Sequence, residues 1–216
     1  MIELVGFLGN PGKEYSHNRH NAGFLLAEKL PFSSGLQWQN KFSGSYAVLD
    51  RNRIALSGGS SPLEDASGKI HFLKPGTFMN LSGESVSKGA SFFKIKNESI
   101  LVVHDELELP LGTVSLKFSG GLGGHNGLRS MKACLGNADF WRIRIGIGRP
   151  DSRQPGQGGP PGSGEGIVDW VLSDFSDTEA EVLDTVLAAA GELLLRTLAA
   201  EPETLLGEWA KKKVLP

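Results

Sequence analysis

The sequence predicts an α/β fold: one domain over residues 1–216, built on a mixed, twisted β-sheet with helices packed on both faces. Three observations carry that expectation. Strand-like and helix-like segments alternate along the chain. Two strand-like segments, "IELVGFLG" and "SILVVHDEL", are almost continuously apolar, which is the pattern of strands covered on both sides. The 216 residues, 39% hydrophobic, can fill one sizeable core, and no internal repeat or second-domain boundary interrupts them.

The elements follow in order. "IELVGFLG" is a strand that ends in glycine. "NAGFLLAEKL" is a short helix stopped by Pro31. "SYAVLD", "RIALSGG" and "KIHFLKP" read as strands. "SGESVSKGASFFKI" sets Val86, Ala90 and Phe93 at helical spacing. "SILVVHDEL" is β-branched and suits a central strand. "NGLRSMKACLG" places Leu128, Met131 and Leu135 on one helical face, with Gly136 as its C-cap. "FWRIRIGIG" alternates and reads as a strand. Residues 150–166 are rich in glycine and proline and should form a mobile loop. "SDTEAEVLDTVLAAAGELLLRTL" is the clearest helix, opened by a capping box of Ser176 and Glu179. Its leucine and valine stripe is core packing.

Composition narrows the function class. No apolar run approaches the roughly 18 residues of a membrane span. The start lacks the basic and long apolar regions of a signal peptide. The single cysteine, Cys134, permits no intrachain disulfide and sits in an apolar helical pattern, as a core residue would. A cytoplasmic location is expected. The net charge of −2 argues against a general nucleic-acid binder. Its distribution says more. Residues 109–153 hold seven basic side chains against Asp139 and Asp151, whereas residues 165–203 hold ten acids and only Arg196. The basic stretch fits either a solvated face or a phosphate-binding surface.

Several residues could carry chemistry. "SHNRHNAGF" contains His17 and His20, spaced for a shared metal or for one base and one bystander. "GNPGKEY" fails the P-loop template, because Phe7 stands at its first glycine and Glu14 at its hydroxyl. Asn10 lies where α/β sheets place ligands, although an Asn-Pro-Gly turn also explains it. "VVHDEL" puts Asp105 at the end of a buried strand. If that strand neighbours the first, Asp105 can fix the tautomer of His20 and stabilise its imidazolium. "SGGLGGHNGL" presents His125 and Asn126 after a glycine-rich turn, and Asn126 also suits a helix N-cap. "FLKPGTFMNLSGESV" puts Met79 and Asn80 at another loop-to-helix junction. Three asparagines converging with one histidine and one aspartate would suit a peptide backbone and an oxyanion. A metal could instead draw on His17, His20, His104, His125 and Asp105, but no H-E-x-x-H or paired-cysteine pattern is present.

Taken together and in order, "GFLGNPGKEYSHNRHNAGF", "FLKPGTFMNLSGESV", "ILVVHDELELPLG", "KFSGGLGGHNGLRSM" and "FWRIRIGIGRP" resemble the bacterial peptidyl-tRNA hydrolase family. The resemblance runs from about Ile2 to Phe175. It implies a monomeric, metal-free esterase without cofactor or obligate protein partner. Such an enzyme cleaves the ester between peptide and tRNA and recycles tRNA from aborted translation. The resemblance implies His20 as general base and Asp105 as its orienting acid. It implies Asn10, Asn80 and Asn126 as substrate-binding amides, and Met79, His125 and Tyr15 as further binding positions. Lys117 and Arg149 match a pair that clamps a tRNA phosphate some distance from the ester. The chain departs from the family pattern with Asn18 where threonine is usual and Glu108 where aspartate is usual. The segments at 57–68 and after Arg149 are longer than the pattern.

Overall fold

The computed structural model describes residues 1–57, 68–150 and 164–214. In chain order the elements are β1 (Leu4–Phe7), α1 (Ala22–Lys29), β2 (Gln39–Lys41), β3 (Gly44–Asp50), α2 (Arg51–Ser57), β4 (Lys69–Pro75), α3 (Ser82–Phe93) and β5 (Ile100–Glu106). They continue with β6 (Thr113–Phe118), α4 (Asn126–Leu135), β7 (Trp141–Gly146), α5 (Gly164–Val171), α6 (Asp177–Ala199) and β8 (Lys212–Lys213).

Eight strands form one sheet in the order β2-β3-β4-β1-β5-β7-β6-β8 among the described residues. The four central strands, β4, β1, β5 and β7, run parallel, and antiparallel strands flank them. The fold is therefore α/β with a mixed sheet, as the alternating segments suggest. The continuous apolar runs have a direct explanation. Along β5, Leu101 and Val103 face one core while Ile100 and Val102 face the other. A strand covered on both sides has no polar face to reveal. α6 supplies Val186, Leu187, Ala190 and Leu194 to the first core, where α1 adds Leu26. α3 and α4 close the second with Val86, Leu128 and Met131.

Four expectations change. "RIALSGG" is not a strand: residues 51–57 form α2. Buried Arg51 turns its guanidinium onto the carbonyls of Ile2 and Leu198, and Ile54 enters the core. Cys134 is exposed, not core, because the buried face of α4 is set by Leu128 and Met131 and Cys134 lies off it. The glycine-rich stretch ends sooner than expected, since Gly164 already begins α5. The rest of that expected loop, 151–163, and residues 58–67 lie outside the described residues. Finally, β2, β6, β8 and α5 are additional elements. β2 is three exposed polar residues at a sheet edge, and β8 is two lysines.

β1 and β5 are neighbours, with Phe7 opposite Val103. The loops that follow their carboxyl ends therefore meet, at the end of a parallel sheet where α/β proteins place ligands.

Candidate active site

The site begins with a close approach. Gly23 lies in the first turn of α1, and a Cβ there would stand 2.5 Å from the Leu8 carbonyl oxygen and 2.7 Å from that of Val103. Glycine lets the helix rest on the backbone of β1 and β5. The 3₁₀ turn before it, Arg19–Asn21, is thereby held over the end of β5.

His20, in that turn, places Nδ1 2.9 and 3.0 Å from the two carboxylate oxygens of Asp105. Asp105 is only 2% exposed. From the opposite side, His125 sets Nε2 3.0 Å from Asp105 Oδ1. His125 Nδ1 accepts the backbone N–H groups of Gly127 and Leu128 and so caps α4. A nitrogen that accepts from two amides carries no proton. His125 therefore donates through Nε2, and the Asp105 carboxylate accepts an N–H hydrogen bond from each ring. His20 is left with Nε2 as its unprotonated nitrogen, and His20 lines an open cleft.

The electrostatics follow from this arrangement. Burial alone would lower the His20 pKa, but the charge of Asp105 and its hydrogen bond outweigh burial and raise it above 6.5. Burial would raise Asp105, yet His20 and His125 hold its carboxyl well below its ordinary range. His104 points its Nδ1 at the Asp105 backbone carbonyl, 2.6 Å away. Full burial, followed by the neighbouring His125, keeps its pKa well below the usual value, so His104 is neutral.

Asn10 is 7% exposed and pinned by three bonds. Its backbone N–H donates to Asn21 Oδ1 at 2.8 Å, and its carbonyl accepts Asn21 Nδ2 at 3.0 Å. Its side-chain oxygen accepts the Met79 N–H at 2.8 Å, which leaves the amide NH₂ as the free donor. Met79 is buried, and a Cβ on Gly127 would meet its sulfur at 2.6 Å. The loop after β1, the turn before α3 and the head of α4 are thus locked together.

The cleft, about 330 Å³, is lined by His20, Asp105, His125, Asn126, Arg149 and the α5 side chains Ile167, Val168 and Val171, among others. Asn126 borders it, but His125 rather than Asn126 is the N-cap of α4. The imidazole reaches back to both amides, so the cap and the carboxylate contact belong to one ring. Asn80 is exposed beside Met79, and its side chain makes no bond to the His–Asp group. Tyr15 packs edge-on against exposed Phe78, with ring centres 6.3 Å apart. His17 is exposed and apart from the site.

The structure does not pair Lys117 with Arg149. Lys117 stands opposite Arg142 across β6 and β7, and Arg142, Arg144 and Glu106 are the charges that act on it. Arg149 instead grips Glu108 on the wall of the His20 cleft, so it is not remote from the site. The reason is topological: Lys117 lies within a strand, whereas Arg149 lies three residues past the end of β7. Both departures from the family pattern are engaged, Glu108 with Arg149 and Asn18 with Asp174.

His20, Asp105 and His125 could also be viewed as metal ligands, since their donor atoms lie within 4.8 Å of one another. The donor chemistry fits that view poorly. A metal needs imidazole lone pairs, whereas His125 Nε2 carries a proton because the helix amides occupy Nδ1. Sequence reasoning gave no role to Arg19 or Asn21, and placed Arg142 and Arg144 only within the basic stretch of residues 109–153. Asn21 and Arg19 lie inside the motif that supplied His20, but as neighbours of a functional residue they gave no signal of their own.

Comparison with known proteins places this geometry. A family model described as peptidyl-tRNA hydrolase matches residues 4–215. The chain is 43% identical to a peptidyl-tRNA hydrolase of Treponema pallidum, covering 99% of this chain and 97% of that one. It is 40% identical to one from Neisseria meningitidis, covering 96% and 93%. It superimposes on the crystal structure of the peptidyl-tRNA hydrolase of Acinetobacter baumannii with a TM-score of 0.80 and 31% identity, covering 99% and 97% of the two chains.

Proposed function

The chain belongs to the peptidyl-tRNA hydrolase family, and on that premise we propose that it hydrolyses the ester joining peptide to tRNA with His20 as general base. The observation that carries this reading is the shared carboxylate. Asp105 accepts an N–H hydrogen bond from both His20 Nδ1 and His125 Nε2, which leaves His20 Nε2 with its lone pair free, on a residue that lines the cleft.

Water held near Nε2 loses a proton to His20 as its oxygen attacks the ester carbonyl carbon. The carbonyl becomes an oxyanion, and Asp105 stabilises the imidazolium. As the tetrahedral intermediate collapses, the ribose oxygen leaves and takes the proton from His20. Peptide acid and tRNA are the products. Amide donors suit the oxyanion. Asn126 borders the His20 cleft, and Asn10, which is not among the cleft-lining residues, offers its NH₂ because Met79 occupies its oxygen. Asn80, Met79 and Tyr15 extend this surface for the peptide and the terminal nucleotides. We assign the distant phosphate to Lys117 with Arg144, and leave Arg149 at the cleft mouth. The reaction needs no metal, and the protein works as a cytoplasmic monomer. Among the described residues no helix is long and apolar enough to cross a membrane.

The test is hydrolysis of N-acetyl-aminoacyl-tRNA and of free aminoacyl-tRNA, each with and without a chelator. Cleavage of the blocked substrate, unaffected by chelation, is expected. Loss of activity on chelation, restored by one divalent cation, would return the His20–Asp105–His125 group to the metal reading.

A further inference from the structure

Arg19 directly precedes His20 and is 3% exposed, an unusual place for a guanidinium. Its contacts all lead to one place. Nη1 donates to Ser173 Oγ at 2.8 Å and to the Asp174 carbonyl. Nη2 pairs with Glu179 Oε2 at 2.6 Å. The guanidinium carbon lies 3.8 Å from the centre of the Trp170 ring, with Phe175 at 5.1 Å. Its backbone N–H donates to the Ser173 carbonyl at 3.0 Å, and neighbouring Asn18 bonds the Asp174 carboxylate at 2.6 Å. Ser173, Asp174 and Phe175 link α5 to α6. Trp170 is itself tied to the Gly148 carbonyl at 2.8 Å.

Glu179 links this cluster to the helix. The same Oε2 accepts the Ser176 backbone N–H at 2.8 Å and the Ser176 hydroxyl at 2.9 Å, which completes the capping box of α6. One carboxylate therefore starts the 23-residue helix Asp177–Ala199, whose apolar face lies in the core, and holds the side chain beside the base.

We propose that Arg19 is a positioning residue for His20, fixing the turn that carries the base to the α5–α6 junction through Glu179, Ser173 and Trp170. The proposal rests on the reading of His20 as the base. It also gives α5 a second duty, since Ile167, Val168 and Val171 of that helix line the cleft. Base and cleft wall are then set by one strut. A planar guanidinium suits the task because it can bind carboxylate, hydroxyl and carbonyl in its plane while an indole stacks on its face.

Arg19→Lys keeps the charge but not the fork. Glu179→Gln loses the ion pair, yet glutamine still serves a capping box. Among the described residues Asp105 and His125 are the titratable groups that touch the His20 ring, and Asp105 is the charge that raises its pKa. Arg19→Lys keeps the charge beside His20, so a changed His20 titration in that variant reports movement of the turn, whereas Glu179→Gln also unpairs the Arg19 charge and is read by kcat against KM. The experiment follows the His20 ring by NMR across pH in the free protein, alongside kcat and KM for N-acetyl-aminoacyl-tRNA. His20 in Arg19→Lys should titrate at lower pH than in the parent, because a displaced ring loses contact with Asp105. The kcat of both variants should fall by on the order of ten- to a hundredfold, as for a misplaced catalytic group, with KM near the parent value. A lower Tm with His20 titration and kcat unchanged would overturn the proposal and leave Arg19 as packing alone. If Arg19→Lys does not fold, Glu179→Gln decides by kcat on the high-pH plateau, where His20 is neutral whatever its pKa. If His20→Ala retains full activity while Arg19→Lys still shifts the His20 titration, the positioning stands and the general-base reading falls.

Discussion

Two regions of the molecule handle charge in opposite ways. Around Asp105, one buried carboxylate is met by two imidazole N–H groups, and the His125 ring is fixed further by the α4 amides. Around Lys117, three cations crowd one acid. Burial, then Arg142 and Arg144, lower the Lys117 pKa. Burial and Arg144 bring Arg142 down to about 10, and Glu106 only partly compensates. The first region is complete without a ligand, as a preorganised catalytic group should be. The second is short of negative charge, which is why the proposal gives it a phosphate of the RNA.

The largest effect should come from breaking the complete region. His20→Ala removes the base, and general-base catalysis typically contributes about 10² to 10⁴-fold. His17→Ala, on the exposed side of the same segment, should stay near the parent in kcat. Both are read from initial rates on N-acetyl-aminoacyl-tRNA. Comparable losses in the two variants would restore a paired-histidine site.

Asp105→Asn comes next, and its sign with pH is fixed. In the proposed mechanism His20 acts only when neutral, and Asp105 raises its pKa above 6.5. The acid limb of kcat/KM in the parent should therefore lie above 6.5. With asparagine the charge is gone and burial pushes the other way, so the limb moves to lower pH. The plateau drops at the same time, since an amide does not stabilise an imidazolium. A limb that stays in place would mean that the titrating group is not His20.

The same contrast explains what the sequence made legible. The approach of Asp105 to His20 was legible from two motifs that follow apolar strands once those strands are neighbours, whereas the choice of His20 over His17 came from the family resemblance. The central strands were readable from their unbroken apolar runs. Other features depend on partners far along the chain. "RIALSGG" has the composition of a strand, but Arg51 finds carbonyls of Ile2 and Leu198 and the segment coils into α2. His125 caps α4 in place of Asn126 because Asp105 lies on its far side, a contact no local rule contains. Arg142 and Arg144 looked like charges on a strand. Only the pairing of β6 with β7 sets them beside Lys117.

The smallest effect should come from the incomplete region, and it tests the phosphate assignment without touching the chemistry. Lys117→Gln with Arg144→Gln removes two charges and leaves shorter polar side chains beside Ser115 and Glu106, which Arg144 now bonds. Each phosphate contact releases counterions and steepens the logarithmic salt dependence of binding by roughly 0.7 to 0.9. The double variant should therefore raise KM for full-length substrate at low salt and flatten its salt slope by up to twice that amount. Its kcat should hold. A short substrate ending in the esterified adenosine lacks the distant phosphate and should be cleaved as by the parent. Arg149→Gln behaves differently in this scheme: Arg149 shares the cleft wall with His20, so the short substrate should feel its loss as well. Arg196→Ala, in the acidic helix α6, is the control for nonspecific charge and should change neither slope nor rate. If the Lys117/Arg144 variant slows the short substrate as much as full-length tRNA, those two residues act on the cleft or on the fold. The cation-rich strands would then be structural and not a docking site for RNA.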